Sequence, residues 1–123
     1  MNLALWIVQG ILAVMFAMAG TTKATKPKEK LSDHLSWTED FSTGTVKLIA
    51  VAELLGAIGL IVPAVTDIAP ILTPIAASAL AVLMLGAVGT HIRRKEPDGV
   101  VLTAVLLLAN VFVAWGRFGP EPF

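Results

Sequence analysis

Cysteine is absent from this chain. That excludes disulfides, thiolate-held iron–sulfur clusters, cysteine-type zinc sites and any dithiol relay, so redox chemistry would have to come from a bound partner or cofactor. Charge is scarce as well: only 15% of residues are charged, against roughly 25% in an average soluble domain, and the formal net charge is zero. There is no glycine-rich phosphate loop after a strand and no basic surface outside the loops, so nucleic-acid and nucleotide binding have no support. Of the two histidines, His34 lies in a polar segment and His91 near the end of an apolar stretch, a placement that argues against a bis-histidine haem clamp. Glu53 and His91 alone do not complete a metal site, so no metal is expected.

What the chain has in abundance is apolar sequence: 56% of residues are hydrophobic and the mean hydropathy is +0.82. It falls in four long stretches, Leu3–Gly20, Leu48–Val65, Ile71–Thr90 and Gly99–Gly116, and Glu53 is the single charged residue inside any of them. As a helix, about 18 residues reach ~27 Å, close to the thickness of a hydrocarbon core, so each stretch can cross a bilayer. The first lacks the basic n-region and small-residue cleavage site of a signal peptide and is read as a span. The expectation is a single all-α integral membrane domain over 1–123, with spans at about 3–22, 46–65, 70–92 and 99–118.

The connections set the topology. Thr66–Pro70 and Lys95–Asp98 are short, so consecutive helices should pack antiparallel as an up-down four-helix bundle. The loop 23–45 is the sizeable polar segment, where Pro27 suits the first turn of a short helix with Leu31, Leu35 and Trp37 on its apolar edge. It is expected to lie along the interface, with Trp37 and Phe41 at headgroup level. Lys23, Lys26, Lys28, Lys30, Lys47, Arg93, Arg94 and Lys95 fall on one side of this arrangement and Arg117 on the other. The positive-inside rule then makes that side cytoplasmic and puts both termini outside.

Small residues indicate which faces look inward. Ala50, Glu53, Gly56, Ala57 and Leu60 share one face of helix two, so Glu53 should face protein and not lipid. Gly86 and Gly89, with Ala76 and Ala79, offer a close-approach surface on helix three, and Ala13, Ala17 and Gly20 do so on helix one. Glu53 tilts toward the cytoplasmic end of its helix, and His91, on a helix running the other way, tilts into the membrane. Lys23, Glu53, His91 and Arg94 are therefore expected to form one polar cluster at the inner boundary, capped by Trp37 or Asp40. Three readings of that cluster stay open: structural pairing, since a charged, unpaired carboxylate there costs at least ~3 kcal/mol, a ligand or quinone headgroup site, and proton translocation. Gln9 and Asn110 are the other polar residues within spans and are read as packing elements; Arg117 closes the last span.

Several of these residues also sit in a recognisable order. Glu53-Leu-Leu-Gly56-Ala-Ile-Gly59-Leu-Ile-Val-Pro63, the proline-and-alanine start of helix three, Ala87-Val-Gly-Thr-His91 with Arg93-Arg94, and Gly116-Arg117-Phe118 resemble the DoxX-like family of four-helix membrane proteins. Ala19-Gly20 with Lys23, and Trp37 with Asp40, are similarly placed. The resemblance implies a compact bundle in the cell (inner) membrane and association with membrane redox systems. On that basis the expectation is an accessory or quinone-interacting component of a redox complex, not a self-sufficient enzyme. Its cofactor would be borrowed, a quinone or lipid, and its partners would be the bilayer, redox subunits and, compatibly, further copies of the chain. The rivals are a membrane chaperone or assembly scaffold and a small proton-coupled transporter.

Overall fold

The structure is a computed structural model that describes residues 2–26 and 41–119. Four helices account for nearly all of them: α1 (Asn2–Thr25), α2 (Thr43–Thr66), α3 (Leu72–Arg93) and α4 (Pro97–Phe118). Each is long and apolar enough to cross a membrane, and the described residues contain no strand. The expected all-α antiparallel bundle is what the chain forms. The proposed interfacial helix, with Pro27, Leu31, Leu35 and Trp37, lies outside the described residues.

Local chemistry sets the helix ends. Ser42 caps α2 by accepting from the Thr45 backbone N–H at 3.1 Å, which starts the helix before the apolar stretch begins. α1 runs on to Thr25 because its last carbonyls find a donor: the Lys47 ammonium, one turn into α2, donates to the carbonyl oxygens of Lys23, Ala24 and Lys26. Pro97 opens α4 at a position that needs no N–H, with Asp98 in the favourable first turn. α3 ends in a Schellman turn, in which the Glu96 N–H reaches His91 O at 3.0 Å and the Lys95 N–H reaches Ile92 O at 3.1 Å. That turn requires a left-handed residue, and Lys95 supplies it at φ 59°.

Neighbours in sequence are neighbours in space, with α1 against α2, α2 against α3, and α3 against α4; α1 and α4 close the ring less extensively. The core comprises Leu12, Phe16, Ala57, Leu60, Ala77, Leu80, Met84 and Val113. Outward, large apolar side chains such as Leu3, Val82 and Leu108 are each about two-thirds exposed or more, a surface that suits lipid and not water. On α2 the buried residues are Val46, Ala50, Glu53, Gly56, Ala57, Leu60 and Pro63, so the inward face expected from the sequence is the one buried.

Pro63 lies inside α2, which continues to Thr66, and it shapes the packing. Proline has no N–H, so the carbonyl four residues back, Gly59 O, loses its helical donor. The Thr73 hydroxyl of α3 replaces it at 2.9 Å. One residue on, Leu60 O accepts from Gln9 Nε2 of α1 at 2.8 Å. Gly59 itself permits the close approach, because a Cβ there would meet Ala76 Cβ at 2.7 Å. The expected surface on α3 is corrected in part: Ala76 is at an interface, but Gly86 and Gly89 face open space and Ala79 is exposed. The inward line of α3 instead passes through Thr73, Ala77, Leu80 and Met84, so the helix is rotated relative to the glycine stripe.

Candidate functional site

At the end of the bundle where α1 finishes and α4 begins, the helices part around a cavity of about 860 Å³. At the opposite end α1 and α4 are tied together. There Arg117 donates from Nε to Gln9 Oε1 and from Nη1 to Asn2 Oδ1, both at 2.7 Å, and its guanidinium lies 5.4 Å from the Trp6 ring centroid. Leu5 fills the space that a side chain at Gly116 would occupy.

The cavity wall is mostly apolar, with polar groups gathered toward the loop end. Met15, Met18 and Met84, the three methionines after Met1, all line it, together with Phe16 and Phe41. Met18 of α1 and Leu102 of α4 line the cavity while remaining 66% and 53% exposed, so it reaches the lipid-facing surface between those two helices.

Two ionic clusters contribute to the wall. Lys23 Nζ donates to Glu53 Oε1 at 2.6 Å, and both residues are buried, at 8% and 2% exposure. The pair joins α1 to α2. Across the cavity, His91 Nδ1 lies 2.9 Å from Glu96 Oε1, and Arg94 Nε lies 3.4 Å from Glu96 Oε2. Glu96 is delivered by the Schellman turn, and Gly99 leaves room for the imidazole, since a Cβ there would collide with the ring.

The structure thus divides the cluster expected from the sequence. Lys23 meets Glu53, whereas His91 and Arg94 meet Glu96; among the described residues Glu53 and His91 do not bond to each other. The reason is that Glu96 is nearer to His91 along the chain and the tight turn presents it first. Trp37 and Asp40, the expected caps, lie outside the described residues. Gln9 bonds to Arg117 and to Leu60 O, while Asn110 Nδ2 bonds to Leu106 O in its own helix. Asn110 Oδ1 is buried without a hydrogen-bond partner among the described residues.

Sequence reasoning missed Glu96 and the methionines. Glu96 is five residues after His91, outside the three- and four-residue spacing that marks a helical pair, and no glycine at 95 advertised the turn. Met15 and Met18 share a helix face, which was the available signal. No group of three or more candidate metal ligands occurs among the described residues.

Four apolar spanning helices around a lipid-accessible cavity define a multi-pass α-helical membrane protein. The profile of the DoxX-like family matches residues 7–113, and the chain belongs to that family. No curated protein and no solved structure matches it.

Proposed function

We propose that this protein is a quinone-interacting accessory component of a membrane redox complex, and that the cavity between α1 and α4 holds the quinone head. The observation that carries the reading is the wall itself. Methionine and phenylalanine side chains can pack against the flat, apolar face of a quinone ring, and methionine adapts to its shape. Lys26, which lines the cavity and is exposed, can donate from its ammonium to a head oxygen, and the opening beside Met18 and Leu102 lets an isoprenoid tail pass into the lipid. A bound quinone would supply two-electron carrier chemistry, and the chain's own residues bind and orient its head. With no cysteine for a dithiol relay, electron exchange is assigned to a partner subunit.

Lys23, Lys26, Lys47, Arg93, Arg94 and Lys95 lie at the cavity end, which by the positive-inside rule supports a cavity facing the cytoplasm, with both termini outside and the protein in the cell (inner) membrane. A photoactivatable quinone with the full protein in bilayer nanodiscs tests the reading. Peptide mapping should place the adducts on Met15, Met18 or Leu102, and an excess of unlabelled quinone should suppress them. Adducts spread evenly over the lipid-facing residues would contradict the proposal. A membrane scaffold is the second reading, favoured by Gly89, whose open face lies outside the cavity and would admit a partner helix.

A further inference from the structure

The two sides of the cavity differ in hydrogen-bonding sense, and this bears on which form of the ligand they take. On the α1 side the cavity is lined by Lys23 and Lys26, whose ammonium groups can only donate, that of Lys23 already donating to Glu53 Oε1 at 2.6 Å. On the α3 and α4 side the hydroxyl protons of Thr90 and Thr103 are used within their own helices, toward Gly86 O at 3.0 Å and Gly99 O at 2.7 Å. Their oxygens keep only lone pairs for the cavity. His91 joins them by the same logic. Its Nδ1 faces a carboxylate oxygen 2.9 Å away, and a carboxylate accepts, so the ring proton sits on Nδ1. In the neutral imidazole that leaves Nε2 as an acceptor. Arg94 Nε lies 3.4 Å from the other Glu96 oxygen and helps hold the carboxylate beside the ring.

We infer that His91, held by Glu96, accepts a hydrogen bond from a ring hydroxyl of the bound head, so that the site prefers a hydroquinone over the corresponding quinone. The geometry sets donors on the α1 side against acceptors on the α3 and α4 side. A hydroquinone satisfies both, because each hydroxyl can donate and accept. A quinone has only carbonyl oxygens and would set an acceptor against the His91 lone pair. The inference rests on the quinone reading of the cavity and adds the redox form that it selects.

The test is anaerobic binding of a decyl-tailed benzoquinone and its hydroquinone to the full-length protein in nanodiscs. Because the chain has no cysteine, the reductant that maintains the hydroquinone leaves the protein's side chains unchanged. One net hydrogen bond corresponds to about a tenfold tighter Kd for the hydroquinone. His91→Leu or Glu96→Met, whichever keeps the parent's helical content, should reduce the ratio to about twofold or less while binding of the quinone persists. Equal affinity of the parent for the two forms, or a preference that survives in a folded variant, would overturn the inference and leave the quinone reading standing. Binding of neither form by the parent would overturn both.

Discussion

Replacing Thr73 with valine keeps the shape of the side chain and removes the hydroxyl that donates to Gly59 O at 2.9 Å. The loss should be larger than a typical threonine-to-valine change because of Pro63. In an ordinary helix Gly59 O would still hold the N–H of residue 63, but proline has none, so the carbonyl would be left unsatisfied in a site where Thr73 is fully buried. A buried carbonyl stripped of its partner costs about 1–3 kcal/mol. Thr66, exposed and bonded to Val62 O in its own helix, is the control, and Thr66→Val should stay within about 0.5 kcal/mol of the parent. The decisive comparison repeats Thr73→Val in a Pro63→Ala background, where residue 63 regains its N–H and can satisfy Gly59 O. Equilibrium unfolding in mild detergent should then show the cost of Thr73→Val falling by about 1 kcal/mol or more. If Thr73→Val costs the same in both backgrounds, to within about 0.5 kcal/mol, the substitution of a side-chain donor for the missing backbone donor is refuted.

Four further outcomes can be checked. Removing either member of the buried Lys23–Glu53 pair should cost about 3–5 kcal/mol, whereas Lys23→Met with Glu53→Leu should come close to the parent, so the two sites couple strongly in a double-mutant cycle. The same cycle for Glu53→Gln and His91→Leu should be additive within about 0.5 kcal/mol, because the two belong to separate pairs; strong coupling there would mean that they meet directly. Lys95→Gly should stabilise the protein by up to about 1 kcal/mol in detergent unfolding, since φ 59° suits glycine better than lysine, and a loss of stability would contradict the strain at that turn. Reporter fusions at residues 30 and 95 should report the cytoplasm and a fusion at Phe123 the outside; a cytoplasmic C-terminus would reverse the orientation.

The spans, their antiparallel order and the buried face of α2 are legible in the sequence because each depends on periodic apolar and small residues that one helix displays by itself. Lys23–Glu53 is also accessible to that reasoning, since helix direction and the tilt of Cα–Cβ place both at one depth. What was not legible depends on groups with no periodic signature. The Schellman turn that brings Glu96 to His91 uses lysine where glycine is the usual marker, and it redirects a histidine that helix geometry alone aims at Glu53. Pro63 reads as a residue tolerated near a helix end, yet its effect is to open Gly59 O to Thr73 of the next helix, a tertiary consequence of a missing N–H. Gly86 and Gly89 resemble packing residues in sequence, but rotation of α3 turns them away from the core, and one of them faces the cavity.

That rotation also provides the most direct test of the cavity as a quinone site. Gly86 lines it, and a Cβ added there would meet no atom within 4 Å, so Gly86→Phe can project a ring into the ligand space without displacing the backbone. Binding of a decyl-tailed quinone to parent and variant, measured in nanodiscs beside their unfolding midpoints, separates occupancy from folding. The account predicts at least about a tenfold loss of affinity, equivalent to about 1.4 kcal/mol, with the midpoint unchanged. Undiminished quinone binding by a stably folded Gly86→Phe protein would contradict it.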